Sequence, residues 1–462
     1  MTVSPTAVAS PAVPDEGGIP RPQRDWVMIV VMLGVVLANL DGAIANIALP
    51  TIAREIGATD AATVWVVNAY QLAAAICLLP AAALGEIIGH KRVYASGLVI
   101  FAVASLGCAV APALGPLVAA RVGQGIGGAA LAALGPALIR EIYPRRIISQ
   151  GFAMIALSVA VSSALGPSIA ALILSVARWP WLFLVNLPFC AVAIPLFLSV
   201  APPSRTQARR FDVAGALLNA VALGFLVVGV NALGDGDLRI AGAELAVGVI
   251  GALMLVWHQA RRAVPMLPLD LLRIPVFSLS VMTSICSYCT QILAYVSLPF
   301  LFQTVMHRSQ VATGLLVTPW PVMVAFAAPL AGRLSARYPA SVLGTIGLAL
   351  LTVGMVLLVL MPDAPADWDV AWRMGICGIG FGFFQTPNNT AIMTAGPVQR
   401  TGAAGGMMAM ARTVGWALGS ALVAVILEVW GVRGPAVSLQ AGALVAALGT
   451  TVSAARLFTR RP

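Results

Sequence analysis

The chain of 462 residues is 60% apolar and only 10% charged, with a mean hydropathy of +0.95. A soluble domain carries roughly a quarter charged residues, so this composition excludes a water-soluble enzyme or binding module and indicates an integral membrane protein. The net charge of +10 would suit a nucleic-acid binder, but the 27 basic residues stand mostly singly between apolar runs. They read as topology signals, and no nucleic-acid partner is expected.

Residues 1–25 are rich in Pro and Ala and lack a basic start followed by an apolar run, which predicts a disordered tail and not a signal peptide. Fourteen apolar segments long enough to span a bilayer follow. They lie near 26–49, 63–84, 93–111, 115–139, 150–174, 181–200, 212–232, 240–258, 276–305, 311–334, 342–361, 371–395, 402–428 and 435–457. A polar, Pro-bearing linker follows the sixth segment, and a second, with Pro265 and Pro268, follows the eighth. The expected fold is therefore all-α: a six-helix bundle over 26–200, a linker region 201–275 with two additional spans, a second six-helix bundle over 276–457, and a tail 458–462. The run Gly85-Glu86-Ile87-Ile88-Gly89-His90-Lys91-Arg92 after the second span has a short basic counterpart, Gly332–Tyr338, after the tenth. Weak internal symmetry of this kind marks transporter folds built from repeats.

An even number of spans places both termini on one side. Nineteen basic residues fall on the connections of that side, six on the other, and Arg121 and Arg412 lie within spans. The excess predicts cytoplasmic termini in a multi-pass protein of the cytoplasmic (inner) membrane. All six cysteines fall in apolar segments, and the Cys286–Cys289 pair has no neighbouring His cluster, so neither a disulfide framework nor a metal or other cofactor is expected.

Charges inside the spans are the strongest functional signal. Asp41 stands about fifteen residues past Trp26, roughly 22 Å along a helix and inside the hydrocarbon. A carboxylate there costs at least ~2.5 kcal/mol and is retained mainly when it faces the protein interior and works. Arg121 lies at a similar depth in the fourth span, either paired with Asp41 or clamping backbone carbonyls of the first span. Arg412 has no intramembrane acid in sequence reach, which leaves a carbonyl or a substrate as its partner. The polar and aromatic residues Asn46, Asn68, Gln71, Gln124, Tyr288, Gln291, Tyr295, Gln385, Asn388 and Asn389, with Arg412, are the candidate lining of a substrate cavity. Glu86, Gly89, Lys91, Arg92 and Glu141 form a candidate gate on the cytoplasmic side, with a solvated basic turn as the plainer alternative.

With these residues in view, the chain resembles the major facilitator superfamily over about residues 26–457, specifically the fourteen-helix drug:proton antiporters of the QacA/EmrB type. Leu40-Asp41 through Ala48-Leu49-Pro50 looks like that group's first-helix motif. Glu86–Arg92 resembles the superfamily loop motif, departing at Ile87 and Ala82. Arg121-Val122-Gly123-Gln124-Gly125-Ile126-Gly127 matches the fourth-helix motif. Gly166-Pro167 resembles the antiporter motif of the fifth helix, with Ala170 and Ala171 in place of its last glycines. Trp181–Pro188 and Gly378–Asn389 resemble two further signatures of the group. The resemblance implies proton-coupled efflux of lipophilic, cationic drugs by alternating access, powered by the proton gradient. It implies Asp41 and Arg121 as the coupling pair, and Glu86 together with the Gly166-Pro167 bend as parts of the gate. The rival on the same fold is an exporter of a self-made metabolite or neutral antibiotic. A polytopic enzyme would need paired carboxylates or a His/Asp cluster, whereas His90, His258 and His307 fall in unrelated places; a receptor would leave Asp41 and Arg121 without a reason. The partners expected are small molecules, protons and lipid; a periplasmic adaptor is not indicated.

Overall fold

In a bilayer the backbone has no water to bond with, so a long apolar run closes its own hydrogen bonds as a helix. The computed structural model describes residues 18–458 apart from 145–146, 205, 207–209, 235, 263–266, 336, 363 and 398–399, and among the described residues there is no strand. The principal helices are α1 (Gln23–Ile56), α2 (Asp60–Ile88), α3 (His90–Ala109), α4 (Leu114–Ile142), α5 (Ile148–Val176), α6 (Trp181–Val200) and α7 (Val213–Ala232). They continue with α8 (Leu238–Ala260), α9 (Pro275–Val305), α10 (Gln310–Leu334), α11 (Ala340–Val359), α12 (Asp367–Thr394), α13 (Thr401–Trp430) and α14 (Gly434–Ala455). Among the described residues, eleven stretches are long and apolar enough to cross a membrane, with Ala403–Ala455 counted as one stretch although it contains two successive helices. The helices α5 and α12 fall outside that set.

The expected tail boundary at residue 25 is corrected by the structure, since α1 already begins at Gln23. The Ile19 amide donates to the Ile142 carbonyl at 3.0 Å, and the Gln23 side chain donates to the Val200 carbonyl at 2.7 Å. Arg24 is buried over the Tyr143 ring, 5.0 Å from its centroid. Residues 1–17 and 459–462, the rest of both expected tails, lie outside the described residues, as do 205 and 207–209 of the first linker.

Helix pairing repeats with an offset of eight. In the first half α1 packs on α5 and α6, α2 on α4, and α3 on α4 and α6. In the second half α9 packs on α13 and α14, α10 on α12, and α11 on α12 and α14. Local chemistry repeats as well. Thr59 caps the start of α2 by accepting from the Ala62 amide at 3.1 Å, and Ser309 caps α10 by accepting from the Ala312 amide at 3.1 Å. Glycines let the backbones of α3 and α4 approach at Gly97 and Gly127, and those of α11 and α12 at Gly347 and Gly380. A Cβ on Gly127 would lie 2.7 Å from the Gly97 carbonyl oxygen, and one on Gly347 would lie 2.7 Å from that of Gly380. Close approach of this kind replaces the hydrophobic driving force that lipid does not supply.

The halves meet along α1–α9, α2–α13 and α5–α10. Among the described residues four hydrogen bonds join them, all toward the end of α1 that carries Thr51. Gln303 donates to the Ile47 carbonyl (2.9 Å) and accepts from Thr51 (3.4 Å), Gln310 donates to Thr51 Oγ1 (2.6 Å), and Ser168 pairs with Thr318 (2.9 Å). Pro167 lies at the α5–α10 contact, where a Cβ on Gly314 would run into its carbonyl at 2.6 Å. The two helices α7 and α8 pack on each other, and α7 rests on α2 and α13 outside the repeat pattern, with Asn219 donating to the Ile76 carbonyl at 3.0 Å.

Candidate functional site

Asp41 is midway along α1 and 2% exposed. Two other helices, α4 and α6, bond it directly, and α2 and α3 hold the side chains that do so. Arg121 of α4 donates through Nη1 to Oδ2, while Gln124, one turn further along α4, donates to Oδ1 at 3.1 Å. Asn186 of α6 donates to the same oxygen at 3.0 Å, and Ser105 of α3 accepts from Gln124 at 2.8 Å. The 121/124 spacing puts both α4 side chains on one face. Arg121 also donates through Nη1 to Gln124 Oε1 (2.8 Å) and through Nε to the Val66 carbonyl of α2 (2.8 Å). Its guanidinium lies 4.4 Å from the centroid of the Tyr70 ring and 5.7 Å from that of Phe183. The acid is met by donors only, an arrangement complementary to a carboxylate, and the ion pair is wholly withdrawn from solvent.

The sequence-expected Asp41 and Arg121 are therefore brought together, and the carbonyl that Arg121 also holds belongs to α2 and not to the first span, where a clamp was the alternative expectation. Gln124, expected in the cavity lining, is part of this network. Asn186 and Ser105 were missed by sequence reasoning. Asn186 stands inside the Trp181–Pro188 motif, which was its signal, whereas Ser105 has none.

The second half places an aromatic group opposite. Tyr288 of α9 lies edge-on to Trp416 of α13 (centroids 5.7 Å) and to Phe381 of α12 (5.5 Å), and Tyr295 lies edge-on to Trp320 (5.3 Å). Amides fix these rings: Gln385 donates to the Tyr288 hydroxyl at 3.0 Å, and Gln291 accepts from Trp416 Nε1 at 3.0 Å. Arg412 sits one turn before Trp416, its guanidinium 5.4 Å from the indole centroid. Asn388 does not join this group. It is fully buried, donating to Ser284 Oγ at 2.8 Å and accepting from Arg456 at 2.6 Å, so it ties α9, α12 and the end of α14 together; Asn389 is half-buried beside it.

Several buried polar atoms have no hydrogen-bond partner among the described residues. They include Asn46 Oδ1, both amide atoms of Asn68, Gln71 Oε1, Arg121 Nη2, Arg412 Nε and Trp320 Nε1, and also atoms on other parts of the bundle, such as Arg24 Nε, Asn231 Oδ1 and Glu244 Oε2. Buried polar groups are nearly always satisfied, so each of these is a place for water or a bound molecule to supply a partner.

At the other end of α2, the candidate gate residues engage the linker. His90 Nδ1 meets Glu141 Oε1 at 2.7 Å, and Ser204 donates to Glu141 Oε2 at 3.3 Å. Lys91 donates through Nζ to the Ala201 carbonyl (2.6 Å) and through its amide to Ser204 Oγ (2.9 Å). Gly89 has φ of +100° where the chain turns between α2 and α3, a conformation that favours glycine. Glu141 thus takes His90 and Ser204 as partners. Nearby, burial pushes the Asp212 carboxyl up, but bonds from His258, the Gly215 amide and Gln259 outweigh it and hold it below the usual carboxylate range. The Arg400 guanidinium, donating at 2.9 Å, holds Asp270 low in the same way.

Membrane-length helices in two repeated halves, meeting around buried and unpartnered polar groups, define a membrane transporter. Residues 31–420 match the Major Facilitator Superfamily, and the chain belongs to that family. It is 48% identical over 447 residues to Uncharacterized transporter YebQ of Escherichia coli (strain K12), covering 96% of this chain and 98% of that one. It is 31% identical over 409 residues to Multidrug resistance protein Stp of Mycobacterium tuberculosis (strain CDC 1551 / Oshkosh), covering 87% and 76%. The crystal structure of a D-xylose-proton symporter superposes with a TM-score of 0.68 at 16% identity, covering 93% and 97%, which is a likeness of fold.

Proposed function

We propose that this transporter exports lipophilic organic molecules in exchange for protons, as a fourteen-span drug:proton antiporter of the cytoplasmic membrane with both termini inside. The observation that carries the reading is the buried Asp41–Arg121 pair, held by Gln124 and Asn186. A proton added to Asp41 removes the charge that holds Arg121, and the guanidinium must then find another acceptor. Such a pair is a two-state element that a proton and a cargo can bias in opposite directions. Glu86, Gly89, Lys91, Arg92 and Glu141, with Gly166 and Pro167, act as the gate, and the proton gradient replaces any cofactor. The relative named as a multidrug resistance protein supports a drug-like cargo.

A cationic cargo would compete with Arg121 and the proton for Asp41, so its affinity would rise with pH. The second reading, a neutral antibiotic or self-made metabolite, is favoured by one observation: both oxygens of Asp41 are already engaged by the chain's own donors. Proteoliposomes with an imposed pH gradient test the proposal, with ethidium as the cation and a neutral lipophilic dye beside it. Gradient-driven flux of either is expected; flux of both that ignores the gradient would overturn proton coupling.

A further inference from the structure

Arg412 is the charge that the coupling pair leaves over. It lies mid-helix in α13, and among the described residues it has no carboxylate within 4 Å, while its Nε is buried without a partner. Across the seam between the halves, Tyr70 of α2, the helix against which α13 packs, lies under Arg121 at 4.4 Å. Arg121 also has a buried atom, Nη2, without a partner among the described residues. The Asp41–Arg121 pair is neutral as a unit, so the local excess charge is that of Arg412. An uncompensated guanidinium within a membrane-spanning bundle is costly, and its planar fork matches a carboxylate or another anionic oxygen group. Beside it, Trp416 and Tyr288 are locked by Gln291 and Gln385, which presents preset ring faces and edges to an aromatic body.

We infer that the cargo is a lipophilic aromatic molecule bearing an anionic oxygen group (carboxylate, phenolate or enolate) that docks on Arg412, with its rings against Trp416 and Tyr288. The inference deepens the export reading, from which it takes only that a cargo passes between the two halves. It sets the cargo apart from a permanent cation, which Arg412 would repel.

The test is equilibrium binding to the whole protein in nanodiscs, with empty discs subtracted. Three probes share one ring system: 2-naphthylacetate, its uncharged amide, and a 2-naphthylethyl trimethylammonium ion. Wild type should bind the acid at least ~10-fold more tightly than the amide, the scale of a charge-assisted hydrogen bond, and the ammonium ion most weakly. Arg412→Gln should abolish the preference, and Arg412→Lys should keep part of it, because the charge stays and the fork is lost. The wild-type series decides by itself if the Gln variant does not fold. Tightest binding of the ammonium ion, no saturable binding of 2-naphthylacetate, or an unchanged preference in a folded Arg412→Gln protein would each overturn the inference. Gradient-driven flux separates it from the export reading. Flux without anion preference defeats only the cargo class; anion preference without flux defeats only the export reading.

Discussion

Replacing Asp41 with Asn keeps the shape of the side chain and removes its charge. Three donors, from Arg121, Gln124 and Asn186, converge on two carboxylate oxygens in the wild type. An Asn has one acceptor oxygen, and its amide nitrogen would face a donor. Removing one partner of a buried ion pair costs about 3–5 kcal/mol, because the other charge is left uncompensated. Arg121 would keep Gln124 Oε1 and the Val66 carbonyl, each at 2.8 Å, and its place on the Tyr70 ring. With roughly 1 kcal/mol for each of the two retained bonds, the expected loss of stability is about 1–3 kcal/mol. Thermal unfolding in detergent reads that loss, and proteoliposome flux reads the coupling, which should collapse while the protein still reaches the membrane. The double variant Asp41→Asn with Arg121→Gln should be more stable than the two single losses predict, by about 1–3 kcal/mol, since it removes both charges. Gradient-driven flux above half the wild-type rate in Asp41→Asn would refute the assignment, and additive losses would refute the pair as the energetic unit.

The other expectations concern the frame around this pair. Gln303→Leu removes two of the four bonds that join the halves at the Thr51 end, so cysteines placed there should react faster with an impermeant maleimide; unchanged labelling would show that the latch lies elsewhere. Gly380→Leu should lower expression and melting temperature, by about 1–3 kcal/mol or more, because a Cβ there already meets the Gly347 carbonyl at 2.7 Å; a wild-type melting curve would contradict the packing. Asp212 is held below its unfolded value of about 3.9, so its contribution is present above that pH and is lost as pH falls through the folded value. Acid titration of the melting temperature below pH 5 should therefore fall more steeply for wild type than for Asp212→Asn, and parallel curves would sink that assignment.

The all-helical fold and the burial of Asp41 and Arg121 within helices were legible in the amino-acid sequence, because hydrocarbon penalises each unpaired peptide group and each charge residue by residue. The eightfold offset was visible only faintly, in the basic turns at Glu86–Arg92 and Gly332–Tyr338. Neighbours were not legible. The structure alone brought Asn186 and Ser105 to the Asp41 network, joined Gln124 to that acid, and placed Asn388 against Arg456. It also showed that Glu141 takes His90 and Ser204. In a soluble helix the polar face marks the outside, so sequence tells which side packs. Here lipid is as apolar as the protein interior, and α4 is apolar or small on almost every side. Depth along each helix is therefore written in the sequence, while rotation about its axis and choice of partner are decided only when glycine surfaces and buried polar groups find one another.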